Sequence, residues 1–194
     1  RVKKGNFGAC LMLQAARVAE LTRAMGEASD LAVSVKHRLG VDAMDSYAEL
    51  VDFVGTVARD GGVAHFIVHA RKAWLDGLSP RENREVPPLR YAWVHRLKQD
   101  FPLLRIELNG GVQTPAQMTE QLAYVDGVMV GRAVYDVPCA WAPGGECDRY
   151  ALVVGMLPYI ERWLQGGGRL HDVLRHMLNI FHGQPRGRYW RRRL

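Results

Sequence analysis

Apolar and polar residues alternate in blocks that predict helices and strands in turn along most of the chain. Apolar residues spaced three or four positions apart predict helices over residues 14–28, 46–60, 89–100 and 114–125. Short apolar runs rich in β-branched residues predict strands over residues 31–37, 64–70, 103–111 and 126–133. Apolar strands that alternate with helices are typical of a parallel sheet with helices packed on it.

Local signals at two helix starts support this pattern. Ser46 followed by Glu49 is the sequence of a capping box, in which each side chain accepts a hydrogen bond from the other residue's backbone. Thr114 is placed as an N-cap, with Pro115 at the first helical position and Gln117 at the third. We therefore expect helices to begin at these two points.

The alternation stops after residue 136. Residues 141–148 are rich in glycine and charge and predict a loop, and two helices are predicted over 151–165 and 170–183, joined by glycines at 166–168. Strand spacings of roughly 20 to 40 residues before this point fit a (β/α)8 barrel or an open doubly wound sheet. The predicted fold class is therefore α/β, with a helical segment at its end.

Polar or glycine residues follow each of the four predicted strands. In order of the strands, these groups are Lys36, His69, Asn109-Gly110-Gly111 and Gly131-Arg132. The carboxyl ends of parallel strands share one edge of a sheet, and glycines there let a phosphate approach backbone N–H groups. The residues by themselves predict a phosphate-bearing cofactor, although a lone lysine or histidine at a strand end is more often a solvated surface group.

Composition and cysteine spacing narrow the function classes. The chain has 194 residues, of which 48% are hydrophobic and 24% charged, and no apolar run reaches the ~18 residues that a membrane helix needs. None of the three cysteines (Cys10, Cys139 and Cys147) pairs with another in a C-x-x-C motif, and the histidines show no metal-ligand grouping. We expect no disulfide framework, no metal, no membrane partner and a reducing, cytoplasmic location.

The positive charge is concentrated at the end of the chain. Residues 169–194 contain seven arginines against one acid, Asp172, which accounts for the whole net charge of +6. A basic patch of this kind permits a nucleic-acid partner, although arginine-rich ends are often only solvated. Phe181, Tyr189 and Trp190 could stack on bases, but each could equally belong to a helical core, which is favoured for Phe181.

Seven segments together resemble the tRNA-dihydrouridine synthases, most closely the A-type subfamily. They are GNFGACLM (5–12), VSVKHRLGVD (33–42), FIVHARKAWLDGLSP (66–80), ENREVPPLRY (82–91), NGG (109–111), DGVMVGRAVYDVP (126–138) and LRHMLNIFHGQPRGRYWRR (174–192). The resemblance implies an FMN-containing (β/α)8 barrel, of which this chain holds about four of eight strands in residues 1–140. An all-helical tRNA-binding domain would follow in 141–194.

The resemblance also implies the chemistry. Such enzymes use NADPH to reduce FMN, and the flavin then reduces D-loop uridines of tRNA to 5,6-dihydrouridine. The resemblance places Lys36 by the flavin ring and His69 on the cofactor, with Asn109-Gly110-Gly111 and Gly131-Arg132 at its phosphate. Expected tRNA contacts are Arg1, Lys72, Arg81, Asn83, Arg84, Arg175, His176 and Arg186.

The proton donor of this family is a cysteine in an Asn-x-Gly-Cys-Pro-Ser motif, which the resemblance places before Arg1. Cys10 is therefore not expected to be catalytic, and its apolar neighbours favour a buried, inert thiol. On this expectation the chain lacks the catalytic motif and the first half of the barrel. Two alternatives stay open: a non-catalytic RNA-binding remnant of such an enzyme, and, less favoured, another FMN barrel that acts on a small molecule.

Overall fold

The computed structural model describes residues 7–194 and contains one four-stranded parallel sheet. The strands β1 (Ser34–Arg38), β2 (His65–His69), β3 (Arg105–Asn109) and β4 (Gly127–Met129) lie side by side in chain order. The α/β class and all four strands are confirmed, but β4 is shorter than predicted. It ends at Met129, and Gly131-Arg132 opens a helix instead of continuing the strand.

Helices alternate with these strands. They are α1 (Ala15–Ala28), α2 (Tyr47–Gly61), α3 (Tyr91–Asp100) and α4 (Pro115–Leu122), with 3-10 turns at Gly8–Leu13 and Glu82–Arg84. Both predicted caps are present. The backbone N–H groups of Glu49 and Ser46 donate to the Ser46 Oγ and Glu49 Oε2 atoms, and the Gln117 N–H donates to Thr114 Oγ1.

The two faces of the sheet differ sharply in character. Phe66, Val68, Ile106 and Leu108 lie on one face and are fully buried, as are Leu50, Val54, Val57, Val94 and Leu97 of the helices. The alternate positions, which point to the opposite face, are Lys36, Arg38, Ile67, His69, Glu107 and Asn109. One face of the sheet is therefore packed with buried apolar side chains, whereas the opposite face carries mainly polar and charged side chains.

Residues 130–194, together with 112–117, form a second compact unit. Its remaining elements are α5 (Arg132–Asp136), α6 (Arg149–Gln165), α7 (Leu170–Leu174) and α8 (Gly187–Arg193), with 3-10 turns at Pro138–Trp141 and Pro143–Gly145. Ile160, Val173 and Met177 form a small core against which Trp190 packs. Phe181 packs against Trp190 with ring centroids 4.8 Å apart and the ring planes tilted by 52°, which supports the core interpretation of Phe181 over base stacking.

The predicted helix over 170–183 is too long. After Leu174 the backbone changes to tighter hydrogen bonds, such as Met177 N–H to Leu174 O and Ile180 N–H to Met177 O. Side chains also take the carbonyls that a continuous helix would use: Trp190 Nε1 donates to Met177 O and Arg149 Nε donates to Ile180 O. The turns beyond Leu174 thus have partners distant in sequence, which a local apolar pattern cannot reveal.

The expectation of no disulfide was wrong. Cys139 and Cys147 are joined by a disulfide, with Cα atoms 5.4 Å apart across a separation of eight residues. Two consecutive 3-10 turns fold the intervening chain back on itself, so a pair without C-x-x-C spacing still meets. Cys10 takes no part in this bond. It is buried, as expected, and its thiol donates to Phe7 O at 2.9 Å.

Among residues 7–194, no helix is both long enough and apolar enough to span a membrane.

One histidine of β1 is part of the core. His37 is 7% exposed, between Phe53 and Phe66, whose ring centroids lie 5.2 and 5.8 Å from its own. Its Nδ1 donates to Arg38 O at 2.7 Å, and its buried Nε2 has no hydrogen-bond partner among the described residues. Desolvation, aided by the nearby Lys36 charge, lowers the pKa of His37 to about 4.

We predict that His37 makes stability depend on pH between 6.5 and 4. Because the folded state holds the imidazole neutral, its contribution is complete above pH 6.5, the ordinary pKa of histidine, and is lost as the unfolded chain takes up the proton. Urea unfolding should show a loss on the order of 2–3 kcal/mol across this window. His37→Leu should flatten this part of the profile, and His171→Leu, at an exposed position, should not. Parallel profiles for wild type and His37→Leu would contradict the prediction.

Candidate functional site

The carboxyl edge of the sheet brings together three of the residues that the sequence singles out. The parallel register places Arg38 beside His69, His69 beside Asn109 and Asn109 beside Met129. Lys36 lies one pair of residues earlier on β1, on the same face of the sheet. The predicted convergence of Lys36, His69 and Asn109 is thus a consequence of register.

A hydrogen-bond chain ties Lys36 to this edge. Lys36 Nζ donates to Asn109 Oδ1 at 2.9 Å, and Asn109 Nδ2 donates to Met129 O at 2.7 Å. The asparagine amide therefore connects β1 to β4 and orients the ammonium group. Desolvation, with a smaller contribution from the Arg38 guanidinium, lowers the pKa of Lys36. The ammonium would be stabilised by an anionic group placed beside it.

The chain turns sharply after β3 at two glycines. Gly110 and Gly111 have φ of 105° and 76°, a left-handed region that other residues rarely adopt. A Cβ on Gly110 would lie 2.9 Å from His69 Nε2, so the imidazole packs directly against this turn. Successive glycines of this kind present backbone N–H groups to anions.

A cluster of arginines surrounds the same edge. Arg38 donates to Asn83 O at 2.7 Å and to Lys72 O at 3.2 Å, which ties β1 to the loop after β2. Desolvation and the charges of Arg71 and Arg84 lower the pKa of Arg38. Like charges held this close create a positive potential that attracts anions. The sequence shows Arg38 among the polar residues at the end of the first strand but gives no signal that assigns it a role.

Two of the loop residues expected to bind RNA also make contacts within the protein. Lys72 is 11% exposed; its Nζ pairs with Asp45 Oδ2 at 2.8 Å and lies 3.9 Å from the Trp74 ring centroid. Asn83 accepts from the Trp74 N–H and donates to Trp74 O, both at 2.8 Å, which organises the loop. By contrast, Arg81 and Arg84 are exposed.

Asp45 is a second residue that the sequence did not reveal. It pairs with Lys72 and with Arg90 Nη1, the latter at 2.7 Å. Although desolvation opposes it, hydrogen bonds from these two cations hold the pKa of Asp45 below its usual value. Asp45 thus joins the loops that follow β1 and β2 to the start of α3. No sequence motif marks it, because its partners lie 27 and 45 residues away.

The remaining expected residues belong to the second unit. Gly131 precedes α5 and Arg132 is its first residue. Arg175, His176 and Arg186 are exposed, and His176 Nδ1 lies 3.0 Å from the Tyr135 hydroxyl. Arg1, also expected to contact tRNA, lies outside the described residues. In the described part of the chain, no three His, Cys, Asp or Glu side chains are grouped to hold a metal.

Comparison with known proteins defines the family. A family model described as dihydrouridine synthase (Dus) matches residues 1–194. The chain belongs to the dihydrouridine synthase family. A tRNA-dihydrouridine(20/20a) synthase of Synechocystis sp. is 50% identical to it over 203 residues, and those of Shewanella oneidensis and Escherichia coli K12 are 48% and 47% identical.

All three alignments cover 100% of this dihydrouridine synthase chain and 60%, 60% and 59% of the three relatives respectively. The chain thus spans about 60% of the length of these curated relatives.

We predict that a side chain at Gly111 destabilises this dihydrouridine synthase chain through packing as well as backbone strain. A Cβ there would lie 2.7 Å from the Tyr91 hydroxyl oxygen and collide with Leu89, in addition to the strain of a positive φ. Gly111→Ala should lower the free energy of unfolding by about 1–2 kcal/mol more than a glycine-to-alanine change that causes strain alone. Urea denaturation measures the difference.

The matched control for this prediction is Gly62→Ala. Gly62 has a φ of 70°, but a Cβ there would meet nothing within 4 Å. Equal losses of stability in the two variants would show that packing around the turn is not tight.

Proposed function

We propose that this chain is part of an enzyme that reduces uridine in tRNA to 5,6-dihydrouridine. The observation that carries the proposal is the carboxyl edge of the sheet. There Lys36, His69 and Asn109 meet the Gly110-Gly111 turn, in a chain of the dihydrouridine synthase family. Relatives named tRNA-dihydrouridine(20/20a) synthase, at 47–50% identity, support uridine in tRNA as the substrate.

FMN is the cofactor that we propose for this edge. Its phosphate suits the left-handed Gly110-Gly111 turn, where backbone N–H groups favour an anion. Arg38, on the same edge of the sheet, adds positive potential. When bound, FMN supplies hydride transfer between NADPH and the uracil ring. Lys36, oriented by Asn109, would lie by the ring system and favour its anionic reduced form, and His69 would contact the cofactor from β2.

The phosphate is assigned to Asn109-Gly110-Gly111 and, from the family resemblance, to Gly131-Arg132. Arg132 would supply a forked pair of donors that matches phosphate geometry.

We further propose that the sheet is part of a (β/α)8 barrel within residues 1–140 and that residues 141–194 form a tRNA-binding helical domain. The sheet supports this because its four strands are parallel, lie side by side in chain order and alternate with helices, as in such a barrel. Helices α6, α7 and α8 and their small shared core support the second part.

The proposed RNA contacts are the exposed arginines Arg81, Arg84, Arg175 and Arg186 and the exposed His176. Arg1, Lys72 and Asn83 are included from the family resemblance. The internal contacts of Lys72 and Asn83 also order the loop that carries Arg81 and Arg84. Contacts to phosphates make binding salt-dependent. Cys10 is not the proton donor in this proposal, because its thiol is buried and donates a hydrogen bond to Phe7 O.

The function is tested with the full-length product of the gene, unmodified tRNA and NADPH. We expect dihydrouridine to form, detected by mass spectrometry of nuclease digests, and its formation to require flavin. Binding of tRNA without any reduction would instead favour a non-catalytic RNA-binding protein. Reduction of free pyrimidines but not of tRNA would favour a small-molecule flavin enzyme.

We predict that Lys36→Ala and Arg132→Ala each weaken retention of FMN. Loss of a charge-assisted hydrogen bond should raise the dissociation constant about tenfold or more. Visible absorbance of the purified protein and fluorescence titration of the apoprotein measure this. Lys98→Ala is the matched control. Lys98 forms an ion pair with Asp126 and donates a hydrogen bond to Leu104 O. These two partners directly precede β4 and β3, so they lie at the opposite end of the strands from the proposed site. Unchanged FMN content in both site variants would defeat the assignment.

A further inference from the structure

Tyr91, the first residue of α3, contacts the glycine turn directly. Its hydroxyl donates to Gly110 O at 2.7 Å, and the side chain is partly buried. Desolvation raises the pKa of Tyr91, so the hydroxyl keeps its proton near neutral pH. Tyr91 therefore acts as a constant donor to the turn.

This hydrogen bond fixes the orientation of one peptide group. In a planar trans peptide the C=O and N–H point in opposite directions. The Gly110 carbonyl points toward Tyr91, so the Gly111 N–H points away from α3. A rotation of this peptide would break the bond to the hydroxyl, so Tyr91 selects one direction for the Gly111 N–H.

The turn is held from two sides. A Cβ on Gly111 would lie 2.7 Å from the Tyr91 oxygen, and a Cβ on Gly110 would lie 2.9 Å from His69 Nε2. The glycine backbone is therefore confined between β2 and the start of α3. Because glycine has no Cβ, this stretch of backbone would have several accessible conformations in the absence of such contacts.

We infer that Tyr91 is a positioning residue for the phosphate of the cofactor. By holding the Gly110 carbonyl, Tyr91 directs the Gly111 N–H toward the anion. Because the turn is already ordered, cofactor binding loses less conformational entropy. This inference rests on the proposed function, because it requires FMN at the glycine turn. It adds a residue that touches neither the flavin nor the RNA in that proposal.

The test compares FMN with riboflavin, which has the same ring system but no phosphate. Tyr91→Phe removes only the hydroxyl and keeps the ring. We expect the dissociation constant for FMN to rise about fivefold, the usual effect of one lost hydrogen bond, while that for riboflavin stays the same. Fluorescence titration of the full-length apoprotein measures both, and thermal unfolding reports whether the variant is folded.

Two further variants make the comparison specific. Tyr47→Phe is the matched control: Tyr47 is the first residue of α2, and its hydroxyl donates to Asp100 Oδ2 at 2.6 Å, outside the glycine turn. It should leave both affinities unchanged. Replacement of Tyr91 by para-aminophenylalanine restores a donor and should recover preference for FMN, even if Tyr91→Phe lowers stability.

The outcomes distinguish failure of this inference from failure of the cofactor proposal on which it rests. A fall in FMN affinity alone, with recovery in the donor variant, supports a positioning role. Equal losses for FMN and riboflavin, or unchanged affinity for both, overturn it while leaving the cofactor proposal intact. Failure of the wild-type apoprotein to bind FMN overturns the cofactor proposal itself, and the inference with it.

Discussion

The Lys36–Asn109–Met129 chain of hydrogen bonds holds the candidate site together. It spans the sheet from β1 to β4, and both of its hydrogen bonds are shorter than 3 Å. It can form because the parallel register brings Asn109 opposite Met129 and sets Lys36 on the same face. The ammonium group therefore has a fixed position, and its pKa is already lowered by desolvation and by Arg38. An anion beside the ammonium group would favour its charged form and so oppose these two effects on its pKa.

Such a site is possible because the two faces of the sheet have different roles. Phe66, Val68, Ile106 and Leu108 are fully buried on one face, so the strands keep their register without help from the other face. Functional groups on the opposite face can then be charged and close together. Loops reinforce the arrangement, since Arg38 and Asp45 connect β1 and its following loop to the loop after β2 and to α3. The geometry of the carboxyl edge of the sheet indicates a site for an anion. The proposed substrate is inferred from membership of the dihydrouridine synthase family.

Local patterns predicted the parts of the fold that local forces determine. The capping box at Ser46 and the cap at Thr114 involve residues three apart, and the buried strands are continuous apolar runs, so both were visible in the sequence. Long-range partners decided the rest. The segment after Leu174, where the helix was predicted to continue to residue 183, forms turns whose carbonyls accept from distant side chains, and the Cys139–Cys147 bond depends on the turns between the two cysteines. Asp45 and Tyr91 escaped notice because their partners are 19 to 45 residues away.

The proposed function requires the glycine turn after β3 to receive the phosphate of a flavin held by this edge of the sheet. The direct test is a crystal structure of the full-length protein with FMN. We expect a phosphate oxygen within hydrogen-bond distance of the Gly111 N–H, with the Lys36 ammonium beside the isoalloxazine ring. A phosphate bound elsewhere, with Gly110 and Gly111 making no contact with the cofactor, would contradict it.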